Sequence, residues 1–230
     1  MKKLQEKLDF LLDKYSVKTT AVLKSCKRAV IGGTDVPLLS HRLERRFTEL
    51  KSIVQNGTLQ GVSAMRVSRI AERGADPFEE LYREFDLCQY ILGRKLTAVT
   101  AMQNGSALNV IAAAEGGVVC TIELAAGLAK GELPKDKHEI ISRRGSACDV
   151  VVDAQLRQAS VYVFGAKNAQ YTDVDFELYG LSAEEIAVVR SAFTIAQKHT
   201  ADEMVSLDRD LNALVEKAKA SAGTGERQVV

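Results

Sequence analysis

From Val62 onward the chain is dominated by alternating segments of strand length, at 62–70, 96–103, 107–114, 118–125, 137–143, 148–154, 159–164 and 171–178. Turn residues punctuate them at Gln103-Asn104-Gly105, Glu115-Gly116-Gly117 and Arg144-Gly145-Ser146. Strands joined this tightly must be mainly antiparallel, because a parallel neighbour needs a long crossover connection. The pattern therefore predicts an α+β fold with a large, mainly antiparallel sheet and helices packed on one face.

The faces of those strands carry a further constraint. Val118, Cys120, Ile122 and Leu124 oppose Val119, Thr121, Glu123 and Ala125, and Leu108, Val110, Ala112 and Ala114 oppose Ala107, Asn109, Ile111 and Ala113. A half-solvated antiparallel sheet ordinarily sets an apolar face against a charged one. Here the second face is small and largely uncharged, which suits packing against another sheet. Self-association through it is the expectation, with cover by loops or the N-terminal helices as the alternative.

Residues 76 to 93 form the best-delimited helix of the chain. Asp76 before Pro77 supplies an N-cap and a favoured first helical residue, Glu79 takes the capping-box position, and Gly93 supplies the stop. Phe78, Leu81, Phe85, Cys88 and Leu92 make one apolar stripe at steps of three and four. Glu79, Arg83, Asp86 and Tyr90 make a second stripe.

Ahead of the strands, residues 2 to 14 read as an amphipathic helix with Leu4, Leu8, Leu11 and Leu12 on one side. A helix is expected near Thr19 to Ile31, ended by Gly32-Gly33, then a short strand at Val36-Pro37-Leu38-Leu39 and a third helix through Arg42 to Gln55. Two capping boxes, Ser182-Ala183-Glu184-Glu185 and Thr200-Ala201-Asp202-Glu203, open the C-terminal helices. Residues beyond Ser221 read as a flexible tail, 222–230.

Composition bounds the functional classes. Across 230 residues the formal net charge is +1, which argues against a nucleic-acid binder, where a strongly basic face is expected. The basic clusters at Lys24, Lys27, Arg28 and at Arg42, Arg45, Arg46 read as solvated surface. Cysteines 26, 88, 120 and 148 have no short pairing, so neither a zinc site nor a disulfide scaffold is indicated. No window approaches the ~18 apolar residues of a membrane span, and the N-terminus lacks a signal-peptide run. A cytoplasmic setting with no membrane partner is expected.

The helix at 76–93 resembles one in the glucose-fructose oxidoreductase and inositol dehydrogenase (Gfo/Idh/MocA) family, whose pattern runs roughly Gly-Gly-x-x-x-Asp-x-x-x-His-x-x-Asp-Leu and ends near Leu-Leu-Gly. Asp86, Leu87, Leu92 and Gly93 match it, the acidic position falls on Glu79, and the family's catalytic histidine falls on Arg83. Lys137-His138-Glu139-Ile140-Ile141 with Gly145-Ser146-Ala147 resembles a strand-turn-strand of the same family's substrate domain. Ser40-His41-Arg42-Leu43 occupies the place of an Asn-Arg-Arg-Phe-like signature and retains only Arg42.

The resemblance covers roughly residues 20 to 218 and implies a C-terminal substrate and oligomerisation domain at 41–221, preceded at 1–40 by a helical remnant of a Rossmann-type unit. Complete enzymes of the family open with a dinucleotide-binding domain bearing a Gly-x-Gly-x-x-Gly loop, and this chain has neither that loop nor a Glu-Lys-Pro. Without glycines to admit a pyrophosphate to a helix N-terminus, no cofactor is expected.

Glu79, Arg83 and Asp86 are the candidate ligand-facing residues, with a sugar or polyol as the ligand the resemblance implies. As an exposed pair one turn apart, Glu79 and Arg83 would contribute only a few tenths of a kcal/mol. Arginine is already protonated at neutral pH, so Arg83 cannot act as the base that takes a proton from a hydroxyl. His138 is expected at a surface or edge position, and His41 and His199 as capping contacts at helix ends. Tyr162 and Phe164 read as sheet core. No catalytic residue, metal site or cofactor site is assigned. Two function classes follow: a non-catalytic protein that self-associates through its sheet or joins a full-length dehydrogenase, and half of a sugar or polyol dehydrogenase whose NAD(P)-binding domain is on a separate nucleotide-binding chain.

Overall fold

The computed structural model of the chain describes residues 1–149, 160–163, 169–172 and 175–230, the two short internal stretches by their backbone alone. It divides into two compact units, Met1–Arg45 with Asp153–Asp208, and Arg46–Val152 with Arg209–Val230.

In the first unit, α1 (Lys2–Lys14) buries Leu4, Leu8, Leu11 and Leu12, the stripe its spacing predicts. The helix expected near Thr19 to Ile31 is instead a hairpin, β1 (Ala21–Leu23) and β2 (Arg28–Ile31), which β3 (Thr34–Pro37) extends to a three-stranded antiparallel sheet. Ser25 accounts for the difference. Its Oγ accepts hydrogen bonds from the backbone N–H groups of Lys27 and Arg28, both at 3.1 Å, and so closes a turn where a helix would have run on. Burial alternates with period two through Ala21, Leu23, Ala29 and Ile31. Gly32 and Gly33, at φ of 58° and 86°, make the next turn, a conformation only glycine adopts freely.

Helix α4 (Ala183–Lys198) packs on α1, β1 and β2. Its capping box is complete: Ser182 Oγ accepts from Glu185 N at 3.2 Å, and Glu185 accepts from Ser182 N at 2.8 Å. His199 is the left-handed C-cap, with Nδ1 3.2 Å from Thr19 Oγ1. Strands β10 (Ser160–Val163) and β11 (Ala169–Thr172) pair antiparallel. Most of the strand expected at 148–154, and the side chains of Tyr162 and Phe164, lie outside the described residues. Of the strand expected at 171–178, β11 includes Tyr171 and Thr172, and from 175 onward the chain turns instead, with Asp175 Oδ1 accepting from the N–H groups of Glu177 and Leu178, both at 3.1 Å.

The second unit contains α2 (Arg45–Gln55), α3 (Pro77–Leu92) and a seven-stranded sheet. Its strands are β4 (Val62–Glu72), β5 (Leu96–Asn104), β6 (Ala107–Ala114), β7 (Val119–Leu128), β8 (Lys135–Ser142), β9 (Gly145–Cys148) and β12 (Gln228–Val229), in the order β12-β5-β6-β7-β4-β8-β9. The sheet is mixed, not mainly antiparallel as expected, because β4 runs parallel to β7 over most of its length. The reason is α3: it lies between β4 and β5 and carries the chain past two strand positions. The antiparallel turns of β5, β6 and β7 then bring β7 back beside β4 in the same direction.

One face of this sheet is buried, through Met65 and Val67, Val110 and Ala112, Cys120 and Ile122, and Ile140. Helix α3 packs on that face against β4, β6 and β7. Helix α5 (Ala201–Thr224) contributes Leu211, Leu214, Val215 and Ala218 to the unit's buried residues. The residues expected as a tail continue this helix to Thr224 and then add β12 to the edge of β5. Ser221 anchors them, its Oγ accepting from Ala101 N at 2.9 Å and donating to Glu226 O at 2.6 Å. Among the described residues no helix is long and apolar enough to cross a membrane.

Candidate functional site

Helix α3 begins and ends where its sequence predicts. Asp76 Oδ1 accepts from Phe78 N at 2.9 Å, Pro77 is the first helical residue, and Gly93 closes the helix at φ 64°. Leu81, Phe85, Cys88 and Leu92 are buried, but so are Glu84, Asp86, Leu87 and Ile91, so the buried surface is wider than one stripe. Of the candidate residues, Glu79 is exposed and Asp86 is fully buried. Arg83 turns toward the sheet, where it bonds Glu84 and lies 3.2 Å from Asp136.

Arg83 belongs to a buried ionic network placed by helix spacing and strand register. In the β4–β8 pairing, Arg69 stands directly opposite Asp136 and Val67 opposite His138, which sets Asp136 and His138 on one face of β8. Arg69 bonds Asp136 at 2.9 Å and Glu80 at 2.5 Å, and approaches Glu84 to 3.8 Å. From α2, Arg46 grips Asp136 with both terminal nitrogens, at 2.5 and 3.1 Å, and reaches Asp149 at 3.1 Å. His138 Nε2 lies 2.8 Å from Glu84, and Nδ1 2.8 Å from Asp149. The ring of Phe47, fully buried, meets the imidazole edge-on at 4.8 Å.

His138 is thus fully buried on an interior strand, not at a surface or edge as expected. Its own segment carried the signal, since period two puts it on the face of Ile140, a core residue. Glu84 was legible in the same way: steps of three and four from Leu81 lead through it to Cys88 and Ile91. Arg46, Arg69, Asp136 and Asp149 have no such local mark, because pairing between distant segments brings them together.

Burial opposes protonation of His138, but hydrogen bonds to Asp149 and Glu84 outweigh it and raise the pKa to about 9. Burial likewise favours the neutral acid at Glu84, yet Arg83, His138 and Arg69 lower its pKa to about 2. At Asp136 burial again opposes ionisation, and Arg46 with Arg83 holds the carboxyl well below the usual range. The network thus sets the guanidiniums of Arg46, Arg69 and Arg83 and the His138 imidazolium against four carboxyl side chains, those of Glu80, Glu84, Asp136 and Asp149.

Glu84, Asp136 and His138 offer ligand atoms within 4.8 Å of one another, a spacing that could hold a metal ion. The donor set does not fit one. Both imidazole nitrogens are committed to carboxylates, and arginines already neutralise Glu84 and Asp136. An open cleft of about 350 Å³ is lined by Gln60, Gly61, Arg143 and Arg144, and so takes in none of Glu79, Arg83 and Asp86.

The other face of the sheet presents a different chemistry. Cross-strand neighbours Thr100, Ile111 and Thr121 form its middle row, flanked by Met102 and Asn109 on one side and Ala113 and Val119 on the other. Met102 is 71% exposed, Ile111 56%, and Val119 and Ile70 each 40%. Glu123 is the only charge that β6 and β7 place on this face, while β4 and β8 add Arg66, Lys135, Lys137 and Glu139, with Lys135 directly opposite Ile70.

No protein-family model matches the sequence, and no curated protein matches it closely enough to count as a relative. Solved structures do resemble it. The scyllo-inositol dehydrogenase of Lactobacillus casei, determined with NAD(H) and scyllo-inositol, has a TM-score of 0.59 at 11% identity over 83% of this chain and 63% of its own. The myo-inositol dehydrogenase of the same organism gives 0.59 at 12%, over 84% and 60%. The myo-inositol 2-dehydrogenase of Lactobacillus plantarum gives 0.57 at 15%, over 84% and 63%. These are Gfo/Idh/MocA-type inositol dehydrogenases, and at such identities the likeness establishes a shared fold. The chain spans 60% to 63% of their length.

Proposed function

We propose that this chain is a non-catalytic assembly domain that uses the scaffold of an inositol-dehydrogenase substrate domain to pair through the outer face of its sheet. The observation that carries this reading is the exposure of Met102, Ile111 and Val119 on neighbouring strands of one face. Exposed apolar side chains on neighbouring strands of one face favour cover by a partner, and a sheet face of this kind can supply the ~800 Å² per partner of an ordinary interface. Two-fold pairing satisfies both copies with one patch. Arg66, Lys137, Glu123 and Glu139 at one side of the patch give such a pair the means to fix its register by complementary charge.

The ionic network supports the non-catalytic half of the reading. The position that the family resemblance gives to a catalytic histidine is held by Arg83, which is committed to Glu84 and Asp136. Arginine stays protonated, and Glu84 and Asp136 are too acidic to take a proton from a hydroxyl near neutral pH. The chemistry of this cluster is that of a clamp between α3 and the sheet.

Sedimentation velocity of Ile111→Lys tests the assembly. Residue 111 is more than half exposed, so the fold should accept lysine, while a dimer packed on this face would bring two added charges into its interface. The expected result is a folded monomer where the unaltered chain is a dimer. An unchanged sedimentation coefficient for a dimeric Ile111→Lys would remove the sheet face from the account.

A further inference from the structure

A carboxylate accepts hydrogen bonds and donates none, yet each ring nitrogen of His138 faces one, Nε2 to Glu84 and Nδ1 to Asp149, both at 2.8 Å. The contacts are satisfied together only when both nitrogens carry protons. The side chains of all three residues are inaccessible to solvent, so no water can substitute for a lost partner. We propose that His138 is an alkali-sensitive latch: an imidazolium at neutral pH that ties α3 to β8, and whose deprotonation releases the α3 side while keeping the Asp149 side closed.

The direction of release follows from what each carboxylate retains. Glu84 keeps its bond from Arg83 and can turn with the helix side chain, whereas Asp149 is held beside the ring by the backbone N–H of His138 at 2.7 Å and an Arg46 nitrogen at 3.1 Å, so a neutral ring keeps its one proton on Nδ1. Nε2 then turns a lone pair toward the Glu84 carboxylate, which repels it. Every element packed on the ring bears on this step. Arg46 and Phe47 approach from α2; Glu80, Arg83 and Glu84 from α3; Arg69 from β4; and Asp136 shares β8. With Asp149 beside Nδ1 these groups are three guanidiniums and four carboxylates, and the ring proton supplies the fourth positive charge.

The pH window has a definite sign. The folded pKa of about 9 lies above the unfolded value of about 6.5, so the latch contributes its full stability below the unfolded value and loses it as pH rises through 9.

Side-chain ¹⁵N–¹H correlation spectra of the full chain over pH 5 to 10 test the proposal. His138 is identified as the signal missing from His138→Gln or, should that variant not fold, as the one left in His41→Gln/His199→Gln. The expected result is two ring protons at pH 7, a midpoint near 9 and an Nδ1–H tautomer above it. Protection of α3 amides should fall about tenfold across pH 8 to 10, beyond the intrinsic base dependence of exchange, while α1 and α4 amides do not change. A midpoint near 6.5, a singly protonated ring at pH 7, an Nε2–H tautomer above the midpoint, or constant α3 protection would each overturn it.

Discussion

Arg83 lies 3.2 Å from Asp136, and Arg46 grips the same carboxylate from α2, so the guanidinium that stands where the resemblance places a catalytic histidine is one of the ionic ties between α3 and β8. Replacing Arg83 by His removes this contact and the one to Glu84, leaving buried carboxylates short of positive charge. The expected cost is about 3 kcal/mol in denaturant unfolding, the lower end for breaking a buried pair. Arg83→His should not turn over a polyol with added NAD, and the unaltered 230-residue chain should not bind NAD or NADP in the micromolar range by calorimetry. Turnover by the variant would return α3 to the active-site reading.

Acid should weaken the same network from the other side. The folded pKa of Glu84 is depressed to about 2 from an ordinary 4.5, so its contribution is complete above the ordinary value and is lost as pH falls toward 2. Stability of the unaltered chain should decline over that interval with a steeper slope than that of Glu84→Gln. The variant should also be about 3 kcal/mol less stable at pH 7, because it leaves the buried His138 and the part-buried Arg83 beside a neutral amide. Parallel acid limbs for the two proteins would show that Glu84 carries no special share.

Phe47 closes the network against water, fully buried with its ring against His138 and with the guanidinium carbons of Arg46 and Arg83 at 4.3 and 5.3 Å from its centroid. Phe47→Ala should cost about 3–5 kcal/mol by loss of packing. It should also lower the titration midpoint of His138, since water entering the space screens the two carboxylates. A midpoint unmoved by the substitution would assign Phe47 to packing alone.

Local signals in the sequence were followed closely by the structure. The leucine stripe of α1, the Asp76-Pro77 start and Gly93 end of α3, and the Ser182 capping box all form as read, because each depends on residues within one or two turns. The hairpin at Ala21–Ile31 was missed because three of its residues form a side-chain turn at Ser25 that helical periodicity does not register. The parallel pairing of β4 with β7 depends on where α3 delivers the chain, and no pattern inside either strand records that. At the ionic site, Arg83 was legible through the family resemblance, and Glu84 and His138 through their places on apolar faces. Asp136 and Asp149 are joined to Arg46 only across 90 and 103 residues of sequence.

Ser221 makes a prediction about the C-terminus. Its hydroxyl takes the buried N–H of Ala101 and bonds the carbonyl of Glu226, just ahead of β12 on the edge of β5. Ser221→Ala would strand the Ala101 N–H and should cost about 1–3 kcal/mol. Exchange at Val230 N, which bonds Thr97 O at 2.9 Å, should accelerate with it. Unchanged protection there would show that β12 docks independently of the serine.

The mass of the unaltered chain in solution tests the assembly reading most directly. Multi-angle light scattering at micromolar concentration should give about twice the 25.1 kDa of one chain, because the face carrying Met102, Ile111 and Val119 would then be closed by a second copy. A mass near 25.1 kDa, unchanged up to about a hundred micromolar, would contradict the account.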